Sequence, residues 1–198
     1  LIDWADKAMC YRWLHSKANR KYYKLNAVFT IPVIIISTLT GTANFAQDKF
    51  EEGTQREYAV MTIGSLNILA GIITTIHQYL KISELNESHR VSCVAWDKFF
   101  RNLKVELAKP RDERVPVFQL LKWAKEEFDR LTETSPIVPQ NIIKEFLSSF
   151  KKKEDFHLIS KPDVCDELVS IEKFMHKVPE RDIESNPHVS INIEHELK

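Results

Sequence analysis

Apolar residues follow two regimes along this chain. Residues 25–47 (LNAVFTIPVIIISTLTGTANFAQ) and 58–80 (YAVMTIGSLNILAGIITTIHQYL) are two runs of 23 residues without Asp, Glu, Lys or Arg. Elsewhere apolar side chains return every three or four positions among charged ones. About 20 helical residues cover a hydrocarbon core of roughly 30 Å, so each run has the length of a membrane-crossing helix. The first run holds ten Leu, Ile, Val or Phe and the second nine. At roughly 0.3 to 0.6 kcal/mol each, insertion is favoured by about 3 to 6 kcal/mol per run. Pro32, Asn44, Asn67 and His77 reduce that margin, so each helix is expected to need a helical neighbour.

Residues 48–57 (DKFEEGTQRE), with Gly53 as the turn residue, connect the runs. So short a connector predicts two antiparallel neighbours, a helical hairpin. Lys7, Arg12, Lys17, Arg20, Lys21 and Lys24 precede the first run, whereas the connector carries Lys49 and Arg56 against four acids. Basic residues favour the cytosolic side, which puts both termini there. Tyr22, Tyr23, Tyr58 and Tyr79 mark the ends of the runs, where aromatic belts form. The sequon Asn86, Glu87, Ser88 is then cytosolic and expected to stay unmodified.

The remaining periodicity predicts further helices. Trp4, Tyr11, Leu14, Ala18 and Tyr22 form a stripe leading into the first span. Ile82, Leu85, His89, Cys93, Trp96, Phe100, Leu103 and Leu107 continue the second span to a stop at Pro110. These extensions are expected to pack as a stalk. After the 110–116 break, Val117, Leu120, Leu121, Ala124, Phe128 and Leu131 outline an amphipathic helix. An extended linker at 135–139 follows, then a helix with Ile142, Ile143, Phe146, Leu147 and Phe150 on one face. Lys151, Lys152 and Lys153 end it, either complementing the helix dipole or touching anionic lipid. Residues 164–175 read as another short helix; Val189, Ile191 and Ile193 alternate as an edge strand or a tail. The expected class is all-α: a transmembrane hairpin with extensions over 1–110, a cytosolic helical region over 111–177, and a tail or partner-docking segment over 178–198.

Composition changes this picture little. With 28 basic and 28 acidic residues the net charge is zero, which points away from nucleic acid. The mean hydropathy of -0.29 blends a charged part with two uncharged runs. Cys10, Cys93 and Cys165 lack the paired spacing of a zinc or redox motif and suit a reducing compartment. The apolar run begins only at Leu25, behind a basic helical segment, which is not the layout of a cleavable signal peptide. Glycine occurs four times, at Gly41, Gly53, Gly64 and Gly71, all in or between the runs. No glycine loop for phosphate and no HExxH or CxxC pairing is legible, so no enzyme activity, cofactor, metal or small-molecule substrate is expected. His89 and Cys93 share a helix face with His15 opposite, a thiolate or metal constellation on a stripe that otherwise reads as packed core.

The candidate functional residues lie in the runs. Thr30, Ser37, Gly41 and Asn44 share one face of the first. Gly64, Asn67, Gly71, Thr74 and Gln78 share one face of the second, in steps of three and four. Small and hydroxyl residues let helices approach in lipid, so these faces read as packing surfaces within the hairpin or between copies. In an oligomer they read instead as a polar pathway.

Tyr11, Arg12, Trp13, Leu14 and His15, then Tyr22 and Tyr23, then Ile31, Pro32 and Val33, and then residues 37–45 (STLTGTANF) resemble the SLATT family of two-transmembrane effector domains associated with nucleotide-signal systems. Residues 66–71 (LNILAG), 79–84 and the 135–139 linker are similar too, so the resemblance covers roughly residues 4–150. It implies a non-enzymatic hairpin with cytosolic helices that oligomerises and perforates membranes when an attached sensor signals. No sensor domain is legible here. Stand-alone forms of this kind look typical of large DNA viruses. There a structural task, tying a capsid or scaffold to the virion's inner membrane as a minor capsid component, is as natural an implication as killing. The partners implied are a lipid bilayer together with further copies or other structural proteins.

Overall fold

The computed structural model describes residues 1–46, 53–151 and 154–165, and all elements below belong to the unit Leu1–Cys165. It is all-helical among the described residues: α1 (Ile2–Ala46), α2 (Thr54–Tyr79), α3 (Ile82–Ala108), α4 (Val117–Thr134) and α5 (Gln140–Phe150). Single 3-10 turns at Arg111–Glu113, Glu154–His157 and Asp163–Cys165 serve as corners. Of the 164–175 helix expected from sequence, the described part is the last of these turns; the rest, like residues 178–198, lies outside the described residues.

α1 is one helix of 45 residues, roughly 68 Å long at 1.5 Å per residue, and it passes through Pro32 without ending. Its N-terminal half pairs with α3 and its C-terminal half with α2, both antiparallel. Arg12 with Asp97, His15 with His89, Asn19 with Asn86 and Asn26 with His77 are successive rungs, and Thr40 with Asn67 is the last. The side of α1 turned to its partners keeps a spacing of three and four over its length: Ala8, Tyr11, His15, Ala18 and Tyr22, then Asn26, Phe29, Val33, Ile36, Thr40 and Ala43. That repeat is the geometry of helices crossing at about 20°.

The second span does not run unbroken into its extension, as the periodicity suggested. α2 ends at Tyr79 and α3 begins at Ile82, with Lys81 at φ 50°, ψ 35° between them, in the left-handed region. The stripe survives because the break spends only two residues before the helical pattern resumes. On α3 the expected Ile82, His89, Trp96 and Leu103 are buried, while Ser92, Phe99 and Glu106 are buried in place of their half-buried neighbours Cys93, Phe100 and Leu107.

α4 and α5 complete the core. Trp96, Phe99 and Leu103 of α3 pack with Ala5 and Ala8 of α1 and with Leu120, Ala124 and Leu131 of α4. Cys10, Leu14 and Ala18, on another side of α1, meet Ile142, Ile143 and Phe146 of α5. Trp96 is the hub: fully buried, stacked on Tyr11 at 4.5 Å, edge-on to Phe128, and donating its indole N–H to Ser135 Oγ at 3.0 Å. That last bond pins the 135–139 linker. The lysines opposite fix the direction of α5: Lys21 bonds Asn141 at 3.0 Å and Lys17 bonds Glu145 at 2.7 Å, while Trp13 meets Phe150. α5 therefore runs away from the apolar halves of α1 and α2. Lys151 stands at its far end, its backbone N–H bonded to the Leu147 carbonyl.

Candidate functional site

The two apolar segments stay bare. Only 6% of the most apolar stretch of α1, and 11% of that following Thr54, is buried by the chain itself, whereas the core helix of a water-soluble protein is mostly covered. Val28, Ile34, Ile35, Leu39, Ile68, Leu69 and Ile72 are each about half exposed or more. The polar groups in this surface are provided for locally. Thr38, Thr42, Thr62, Ser65, Thr74 and Thr75 each donate to the carbonyl four residues back, at 2.7 to 2.9 Å. A hydroxyl closed onto its own helix needs no outside partner.

The seam between the helices is not the pair of stripes legible in sequence. Asn26, Phe29, Val33, Ile36, Thr40 and Ala43 of α1 face Ala59, Ile63, Ala70, Ile73 and His77 of α2, with Thr40 and Ala70 buried and the others half-buried. Thr30, Ser37, Gly41 and Asn44 each follow a seam residue by one position, as do Gly64, Gly71, Thr74 and Gln78. One residue turns a helix by about 100°. Because the helices are antiparallel, that turn carries both stripes to the same flank of the pair. Thr30 and Thr74 accordingly line one crevice of about 350 Å³ with Asn26, Phe29, Val33 and His77.

The structure thus brings Thr30 and Thr74 together and sets Asn67 against Thr40, whose hydroxyl lies 2.8 Å from Asn67 Oδ1. Ser37, Asn44, Gly64, Gly71 and Gln78 remain exposed and Gly41 half-exposed, without a partner helix over them. A Cβ built on Gly41, Gly64 or Gly71 meets nothing within 4 Å, so these glycines serve no close approach inside the chain. The opposite flank, formed by Val28, Ile35, Leu39, Leu69, Ile72 and Ile76, is aliphatic and exposed. The pair is two-sided: small and polar on one flank, oily on the other.

Sequence reasoning passed over the polar node at the lower end of the crevice. Asn26 Oδ1 lies 2.7 Å from His77 Nε2 and accepts from Ser83 Oγ at 2.8 Å, joining α1, α2 and α3 where the chain bends at Lys81. Asn26 follows a basic cluster and falls on neither stripe; its one signal was being the first polar residue of an uncharged run.

The His15, His89, Cys93 constellation resolves into a pair and a bystander. His15 Nδ1 and His89 Nδ1 are 2.9 Å apart, both residues fully buried, while Cys93 Sγ turns to the Arg12 carbonyl at 3.6 Å. Burial pushes the Cys93 thiol up, and the Cys10 thiol up to about 12 with Cys165 nearby as a lesser cause, so neither is an activated nucleophile. Among the described residues no group of three or more His, Cys, Asp or Glu side chains is placed to hold a metal. Asn86 of the sequon is half-buried, its carbonyl and Oδ1 both bonded to Asn19 Nδ2 at 2.9 Å. No family model, curated protein or solved structure matches the chain.

Proposed function

We propose that this chain is a non-enzymatic two-pass membrane protein that anchors a protein assembly to a bilayer. α1 and α2 cross as a hairpin, both termini lie on the cytosolic side, and the α1–α3 stalk with α4 and α5 stands in the cytosol. One observation carries the reading: two segments long enough to span lipid are left almost wholly uncovered by a chain that buries Trp96, Phe99 and Leu103 completely elsewhere. A protein able to make that core would not leave two aliphatic helices in water. Val115, Val117, Phe118 and Leu121, exposed where α3 hands over to α4 at the end farthest from the spans, support attachment to other structural proteins. The resemblance described above adds a virion inner membrane as one setting for such an anchor.

Alkaline extraction followed by ultracentrifugation tests this: the chain stays with the membrane pellet. Gln55→Cys is labelled by an impermeant maleimide from the non-cytosolic side, and Arg111→Cys only after permeabilisation. Release into the supernatant, or both positions reacting from one side, overturns the anchor.

A second reading rests on the two-sided hairpin. Ser37, Asn44, Gly64, Gly71 and Gln78 share one flank that no other described helix covers, which favours covering by further copies, as in a SLATT-type oligomer. Gly64→Leu and Gly71→Leu touch nothing inside the monomer. They are expected to lower oligomer occupancy in detergent while leaving monomer helicity unchanged; an unchanged oligomer removes this reading and leaves the anchor standing.

A further inference from the structure

Deep in the stalk, the two imidazoles face one another with no other polar partner among the described residues. His15 is 1% exposed and His89 0%, their Nδ1 atoms are 2.9 Å apart, and both Nε2 atoms are buried without a hydrogen bond. Only one proton fits between the two Nδ1 atoms: one ring donates, and the other accepts through a bare lone pair. A first proton, on the donor ring's Nε2, leaves that bond in place but buries a charge; a second, on the accepting Nδ1, sets two N–H groups against each other and breaks the pair.

Among the described residues the surroundings offer aromatic faces but no opposite charge to stabilise an imidazolium. From α1, Tyr11 lies over His15 at 6.3 Å, and Tyr22 stacks on His89 at 5.3 Å and 11°. From α3, the neighbouring titratable group is Cys93, whose thiol burial keeps protonated. From the linker and α5, a cavity of about 210 Å³ brings Ser135, Val138, Gln140 and Ile143 to the His15 side. The charges nearby along the helices are already matched: Arg12 with Asp97 at 2.8 Å and Lys17 with Glu145 at 2.7 Å. Among the described residues neither imidazole has a carboxylate partner. Burial holds both rings well below the usual imidazole range, and for His15 the adjacent His89 adds to it.

We propose that His15 and His89 form an acid-released latch between α1 and α3: proton uptake by the imidazoles opens the stalk just below the spans. With the latch closed, neither ring binds a second proton in mildly acid solution; once apart in water, each binds one near its ordinary pKa of about 6.5. The sign follows. Folded-state pKa values lie below the unfolded ones, so the closed form is fully favoured above about pH 6.5 and loses ground as pH falls. The two rings act together, and opening approaches an uptake of two protons. Between pH 7.5 and 5.0 the opening constant rises by roughly a thousandfold. The latch sits outside the apolar segments and works in the same way however those segments are used.

Hydrogen exchange of the full-length protein in detergent micelles, normalised to intrinsic rates, measures the opening. Segments 12–20 and 85–93 are expected to gain exchange with a slope that grows from about one proton at pH 6.5 toward two near pH 5. His15→Gln and His89→Gln each reduce that slope to about one. Should either variant fail to fold, the wild-type slope decides, together with the ring C–H resonances of His15 and His89, which stay unshifted while the stalk is closed. A flat profile, a slope below one proton, or resonances that titrate near 6.5 in the closed protein would each overturn the latch.

Discussion

Replacing Asn26 by Leu is predicted to weaken the paired helices more than replacing Asn67, although Asn67 is the more conspicuous of the two in the sequence. Asn26 Oδ1 serves both His77 Nε2 and Ser83 Oγ. Asn67 Oδ1 serves only Thr40 Oγ1, and that hydroxyl also lies 2.9 Å from the Ile36 carbonyl of its own helix. Hydrogen bonds between helices in membrane proteins average about 0.6 kcal/mol, with a maximum near 1.7. Two lost bonds put Asn26→Leu at about 1 to 2 kcal/mol, with His77 left in a crevice it cannot easily leave. Asn67→Leu loses about 0.6 kcal/mol, because Thr40 falls back on Ile36. The substitution also places Leu on an exposed span position, worth about 0.3 to 0.6 kcal/mol in its favour, so the net is near zero. Reversible unfolding in mixed micelles, followed by helicity and by separation of labels on α1 and α2, has the resolution for this difference. If Asn67→Leu proves the costlier, the seam assigned to Thr40 and Ala70 is wrong and the helices face one another through the polar stripes instead.

Trp96→Ala should cost about 3 to 5 kcal/mol, since it empties the aromatic hub and strands Ser135, and Trp96→Phe distinctly less; thermal melts read by near-ultraviolet dichroism separate them. Lys81→Gly relieves a left-handed side-chain position and is expected to be neutral or stabilising by up to about 1 kcal/mol, whereas Lys81→Val lowers the melting midpoint. Cys10, 3% exposed, should resist maleimide at pH 8 in the native protein and react at once in denaturant; rapid native labelling would contradict its place against α5.

Much of the helical framework could be read from spacing. The apolar stripes of α4 and α5 and the 135–139 linker all announce themselves, because each is an amphipathic surface meeting water. Inside the apolar segments that contrast fails. Phe29, Val33 and Ile36 look no different from the residues that stay exposed, and the seam is chosen by shape, so the polar residues one position away draw the eye to the wrong face. The hydroxyls mislead similarly: a threonine bonded to its own carbonyl carries no information about a neighbour. His15 and His89 were legible as being at one height, but their bond depends on side-chain rotamers that helical periodicity does not encode. The direction of α5 depended on which lysines of α1 it would meet, and many charged pairings satisfy the same sequence.

The two limbs that leave the apolar zone differ mechanically. α1 has no break: it carries a torque from Trp4 toward Thr40 as one helix, softened at Pro32, whose missing N–H removes a backbone hydrogen bond. The other limb is articulated at Lys81, so it can take up an angular mismatch without bending its neighbour. A load on the far end of the stalk would therefore reach the apolar segments mainly through α1, while the α2–α3 limb yields at Lys81.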